Sequence, residues 1–230
     1  LYQALAAHPF TVSPSLHILL SDERMVPETS PESNLGQVQP LCHALNIPPP
    51  RILSVPSGLD PEAAADAYDR RISAFLAGGG RISLALLGLG PDGHTASLFS
   101  TADLAASEGR HAIAVRRDTP PHRVTVTPAV IARCKRVVFL VSGPEKKDIV
   151  TRFLKTPEGV IAAQAARNAP DVEIWFSEEP QPTAGGSMAE TVCKGNHKGH
   201  LCVLVSEKKF DEIREIVQAP KFICFNCGRV

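Results

Sequence analysis

The run Ile82-Ser83-Leu84-Ala85-Leu86-Leu87 is apolar at all but one position, is flanked by glycine, and ends at Gly88. A short apolar run without strict alternation is a strand of a largely buried sheet, so other layers must cover it. Comparable strand candidates lie at Leu16–Leu20, His111–Val115, Val124–Val126, Val137–Val141 and Val172–Phe176. Helical stretches separate them: one capped by Ser33-Asn34 and running through Leu45, Pro61–Leu76 opening at Asp60-Pro61 and ending at Gly78-Gly79-Gly80, then Pro128–Ala132 and Glu145–Leu154. Such alternation predicts an α/β fold, a three-layer αβα domain with a mainly parallel sheet.

With 230 residues, 43% of them hydrophobic, the chain can bury a sizeable core in one domain and still carry a small appendage. Its formal net charge is zero and its pI is near 7.2, which argues against nucleic-acid or membrane-surface partners recruited by charge alone. No apolar run approaches the ~18 residues of a membrane helix, and no signal peptide is visible, so a cytoplasmic location is expected.

The segment Gly88-Leu89-Gly90-Pro91-Asp92-Gly93-His94-Thr95-Ala96-Ser97-Leu98-Phe99 places an imidazole on a glycine-built turn directly after the apolar strand. Helix-compatible residues resume at Thr95, so the pattern reads strand, turn, helix start, which puts His94 at the carboxyl edge of the sheet, where open α/β folds bind ligands. A partly desolvated imidazole there can exchange a proton with water or a sugar hydroxyl. The plainer reading is a loop histidine that caps the helix. The same glycines satisfy G-x-G-x-x-G, but a dinucleotide site needs a second strand and then an acid about 20 positions on. Glu108 precedes the next strand candidate and so comes in the wrong order.

Leu16–Leu20 delivers a second cluster, Ser21-Asp22-Glu23-Arg24, before Val26-Pro27 breaks the element. In an extended segment Asp22 and Arg24 face the same side, so a carboxylate and a guanidinium could converge on one ligand. A solvated turn is the simpler alternative.

Taken together, Asp22–Pro27 with Ser33-Asn34, Gly88–Phe99, Pro120–Thr127 and Val138–Gly143 leading into Lys146-Lys147 resemble the 6-phosphogluconolactonase family over roughly residues 1–180. The resemblance implies hydrolysis of a phosphorylated six-membered sugar lactone without a catalytic cofactor. It implies His94 as the general base and Asp92 as a residue that orients or polarises the site, or merely forms the turn. Arg24 stabilises the developing oxyanion or holds substrate, and Asp22 positions Arg24 or the imidazole. Gly90, Gly93, Arg123 and Lys147 are the implied substrate-binding residues. The related glucosamine-6-phosphate deaminases continue the motif with an acid-bearing Asn-Glu-Pro segment where this chain has Ser97-Leu98-Phe99-Ser100. Family members also begin with a strand and a glycine-rich loop of the form Gly-Gly-Ser-Thr-Pro. This chain opens at Leu1-Tyr2-Gln3-Ala4-Leu5, which looks like the helix after that loop, so an amino-terminally shortened domain over 1–179 is expected.

Residues 180–187 have linker composition, and 188–230 read as a separate Cys/His-rich segment whose Met188 looks like the start of a second, joined polypeptide. Cys224 and Cys227 have the spacing of a zinc knuckle, with a second ligand pair to come from Cys193, His197, His200 and Cys202. Phe210–Val217 has helical spacing between the two clusters. A structural zinc is expected there; paired disulfides are the alternative, and a non-catalytic remnant with a metal-binding interaction tail is the rival to an enzyme. The tail's own partner is not legible.

Overall fold

The computed structural model describes residue 6 and residues 11–178, 201–202 and 222–225. Its main sheet contains β1 (Ile18–Leu20), β3 (Ile52–Leu53), β4 (Ile82–Gly88), β7 (Val137–Ser142), β8 (Val172–Ser177), β9 (Leu201–Cys202) and β10 (Phe222–Phe225). Their spatial order is β3-β1-β10-β4-β7-β8-β9, with every pairing parallel.

Both faces of this sheet are covered, because alternate residues of each strand enter different cores. Ile18, Leu20, Leu84, Leu86, Val138 and Trp175 pack with Val38, Leu41 and Cys42 of α1 (Asn34–Ala44). Leu19, Ala85, Leu87, Val137, Phe139 and Ile174 point the other way. There they meet α2 (Pro61–Ala77), α4 (Pro128–Ile131), α5 (Lys147–Lys155) and α6 (Ile161–Ala166). The three-layer α/β architecture read from the alternation is the one observed. No helix among the described residues is long and apolar enough to cross a membrane.

Two expectations change. Val124–Val126 does not join the main sheet: β2 (Asp22–Arg24), β5 (Ala112–Val115) and β6 (Arg123–Val126) form a separate antiparallel sheet in the order β2-β6-β5. The chain therefore leaves the main sheet at Leu20, passes through Ser21 and enters the small sheet at Asp22. The second change follows Gly93. Helix α3 (Thr101–Ala106) begins well after Thr95, because Ser100 and Asp103 form a capping box that fixes its start, while Thr95–Leu98 is a tight turn closed by a bridge between its ends.

The carboxyl-terminal expectations fall mostly outside the described residues: the helix at 210–217, the linker, and Cys193, His197, His200 and Cys227. Cys202 and Cys224 lie in β9 and β10 of the same sheet, with β8, β7 and β4 between them. Four strand spacings of ~4.8 Å separate their backbones by about 19 Å. The described residues contain no group of three or more His, Cys, Asp or Glu that could hold a metal.

The start of α1 depends on Glu23. Ser33 caps the helix by accepting from the Gly36 amide at 3.1 Å, and the buried Glu23 carboxylate accepts from the amides of Asn34 at 2.7 Å and Leu35 at 2.8 Å. An acid at a helix amino terminus meets both the orphan amides and the favourable end of the dipole. Glu23→Ala leaves those amides without an acceptor in a buried place, and we expect a loss of about 2–3 kcal/mol. Urea denaturation reads this as a lower midpoint with an unchanged slope.

Candidate active site

Strand β4 ends at Gly88, and the turn after it brings His94 back over its own start. The Gly90 amide donates to the His94 carbonyl at 2.9 Å, and the Gly93 amide donates to the Gly90 carbonyl at 2.9 Å. Both glycines are required sterically. A Cβ on Gly90 would fall 2.2 Å from His94 Nδ1, and Gly93 has φ of +93° with Ile149 and Val160 against it. Their role is to let the turn close; their amides, already bonded within it, are not available to an anionic substrate.

His94 Nδ1 lies 2.5 Å from Asp92 Oδ1, and the same oxygen accepts from the His94 amide at 3.2 Å. Desolvation opposes ionisation of Asp92, but the hydrogen bond and charge of His94 outweigh it and hold this carboxyl below the ordinary range. An ionised carboxylate at Nδ1 requires the proton on Nδ1, which leaves the Nε2 lone pair free to accept one. The imidazole is half-buried and packs against Phe99, with ring centroids 4.7 Å apart.

Across the site, the small sheet presents cations. Arg24 and Arg123 are direct register partners in β2 and β6. Like charges opposite each other destabilise a pair of strands, so this rung favours an anion. Arg24 donates to the Glu32 carbonyl at 3.0 Å and Arg123 to the Pro121 carbonyl at 2.9 Å. Burial lowers the Arg123 pKa, and the charges of Arg24 and Arg117 lower it further. Arg117 joins the group by lying 4.1 Å above the Phe99 ring that packs on His94. None of these three arginines forms an ion pair among the described residues.

Two sequence-derived assignments change at this point. Lys147 begins α5 and is exposed, pairing with Glu178 at 2.8 Å. Its neighbour Lys146 is the buried one, donating to the Leu89 carbonyl at 3.0 Å beside the glycine turn. Desolvation lowers the Lys146 pKa, against the raising influence of Glu145 and Asp92. Asp22 does not face a ligand with Arg24. It is buried and accepts from Ser97 Oγ at 2.7 Å, Ser21 Oγ at 3.2 Å and Asn34 Nδ2 at 3.2 Å. Burial nevertheless pushes its carboxyl up, with the Ser97 and Ser21 hydroxyls and the Arg123 and Arg24 charges opposing.

Arg117 had no signal in the sequence, and Phe99 entered only as the end of the Gly88–Phe99 segment, because a surface arginine and a loop aromatic gain meaning only when stacked. Lys146 could have been separated from Lys147 only by the 3₁₀ turn at Pro144–Lys146, which changes the direction of the chain just before α5.

The chain has known counterparts. Residues 1–175 match the family model described as glucosamine-6-phosphate isomerases/6-phosphogluconolactonase. A 6-phosphogluconolactonase of Haemophilus influenzae is 32% identical over 171 residues, covering 73% of each chain. One from Rattus norvegicus is 33% identical over 164 residues, covering 69% of this chain and 63% of its own. The crystal structure of 6-phosphogluconolactonase from Thermotoga maritima superposes with a TM-score of 0.61 at 32% identity, over 76% of this chain and 78% of that one. The histidine–carboxylate pair at the end of β4 thus occurs on a chain that belongs to the glucosamine-6-phosphate isomerase/6-phosphogluconolactonase family.

Proposed function

We propose that this chain hydrolyses 6-phospho-D-glucono-1,5-lactone to 6-phosphogluconate, a step of the pentose phosphate pathway, with residues 1–179 carrying the reaction. The relatives named 6-phosphogluconolactonase support the substrate. The Asp92–His94 pair carries the mechanism: the carboxylate fixes the proton on Nδ1 and leaves Nε2 as the acceptor. Water gives a proton to Nε2 as its oxygen attacks the lactone carbonyl. The tetrahedral intermediate then expels the ring oxygen, which takes the proton back from the imidazolium. Atoms balance as one water added across the ester bond.

Negative charge appears in two places, on the phosphate and on the carbonyl oxygen in the transition state. Arg117, stacked on the Phe99 that packs against His94, Lys146, whose charge interacts with Asp92, and the Arg24–Arg123 rung are the candidate cations, and preorganised charge of this kind is a large source of rate enhancement. Arg123 and Arg117, as planar forks, suit the phosphate; Arg24, beside them, suits the developing oxyanion. Every step uses a side chain, and the proposal assigns no cofactor. A deaminase-type reaction is less well supported, because Ser97–Ser100 holds no acid and the nearby Asp103 carboxylate already caps α3. The reading carries a cytoplasmic setting with it. It gives no role to a nucleic acid, a membrane or a metal.

His94→Asn should lower kcat by about 10²–10⁴-fold, the usual worth of a positioned base. Lactone disappearance corrected for the spontaneous rate measures it, and activity within tenfold of the parent removes His94 from the role of base. Arg123→Ala should raise KM for the phosphorylated lactone about ten- to a hundredfold, as expected for losing ~1.5–3 kcal/mol of charge-assisted hydrogen bonding, and leave hydrolysis of the unphosphorylated lactone nearly unchanged. Treatment with a chelator such as EDTA should leave the rate unaltered; loss restored by a divalent ion would contradict the cofactor-free mechanism.

A further inference from the structure

Ser97 lies three residues beyond His94, is buried, and is tied to the small sheet twice. Its amide donates to Thr125 Oγ1 at 3.1 Å and its hydroxyl to Asp22 Oδ2 at 2.7 Å. Thr125 and Asp22 are register partners, so the two acceptors share one rung of β2 and β6. The Arg24–Arg123 pair occupies the rung two residues away, on the same face of the sheet by the period of a strand. Ser97 is therefore the point at which the turn carrying His94 is fastened to the face carrying the arginines.

The turn needs such fastening. Ala96 has φ of +50°, a conformation that costs a residue with a β-carbon and persists only where its neighbours over-determine it. Thr95 Oγ1 holds the near side through the Gly88 carbonyl at 2.9 Å, and Ser97 holds the far side. Asp22 is held in turn by Ser21 and Asn34, whose Nδ2 also donates to the Asp22 carbonyl at 2.9 Å.

We infer that Ser97 is a positioning residue: bonded to Asp22 and Thr125, it fixes the separation between the His94 imidazole and the Arg24–Arg123 pair. The inference rests on the proposed reading of His94 as base and the arginines as charge stabilisers. Its consequence is that a hydroxyl and a carboxylate that never touch substrate govern turnover, since displacement of about 1 Å at a reacting group can cost 10²-fold.

The test compares kcat and KM of Ser97→Ala, Asp22→Asn, the double variant and His94→Asn, each assayed at least about ten degrees below its own melting midpoint so that unfolding does not enter. Ser97→Ala should lower kcat about tenfold or more with KM within threefold of the parent. Asp22→Asn should lower kcat on the parental background and by less than twofold on the Ser97→Ala background, the signature of two residues acting in one chain of contacts. Parental kcat in Ser97→Ala overturns the inference. So does multiplication of the two effects in the double variant, which would mean that Asp22 acts by another route. A rise in KM alone overturns it too, since it would place the effect on substrate binding. An active His94→Asn enzyme instead overturns the underlying reading, whatever Ser97→Ala does.

Discussion

The site depends on how the chain crosses from one sheet to another. Between Leu20 in the main sheet and Arg24 in the small one there are only Ser21, Asp22 and Glu23, and both acids are buried. Neighbouring residues in an extended segment face opposite ways. Glu23 thus turns to the amino terminus of α1 and Asp22 to Ser97. A buried carboxylate is tolerated only when donors surround it, and each of these has found its own set. The crossing consequently joins three parts by hydrogen bonds: a helix start, the turn that carries His94 and the rung beside the Arg24–Arg123 pair.

The same crossing explains the electrostatics. The register in which β2 pairs antiparallel with β6 sets Arg24 opposite Arg123, and Asp22 and Thr125 fill the adjacent rung on that face. One rung repels cations from one another while the next anchors the turn. A protein that keeps guanidinium groups together without carboxylate partners stores an attraction for an anion of matching shape, and a phosphate ester with a polarised carbonyl supplies two such charges. Lys146, buried against the Leu89 carbonyl, adds a point charge from the opposite side of the turn.

The glycines act by absence. Gly90 keeps the space into which the His94 ring folds, and Gly93 adopts the positive φ that reverses the chain against Ile149 and Val160. With the imidazole thus seated, Asp92 reaches it two residues away, and the Nδ1 proton is placed by local geometry. The separation of this pair from the arginines is a long-range matter, because Ser97 and Asp22 are 75 positions apart in sequence.

What the sequence determined by itself were the properties that depend on neighbours along the chain. The buried strand ending at Gly88, the caps at Ser33 and Asp60, and the presence of His94 on a glycine turn were all legible, because periodicity, capping and backbone freedom are local. The start of α3 was misplaced even though the Ser100-Thr101-Ala102-Asp103 capping box is local too, since Thr95–Leu98 looks helical until Ala96 adopts positive φ. Tertiary structure alone decided the rest: that Arg123 belongs to a second sheet opposite Arg24, that Lys146 rather than Lys147 turns inward, that Arg117 stacks on Phe99, and that Asp22 is enclosed at Ser97. Each of these follows from which strand pairs with which and at what register, and hydrogen bonds between distant strands leave no periodic trace in the residues that make them.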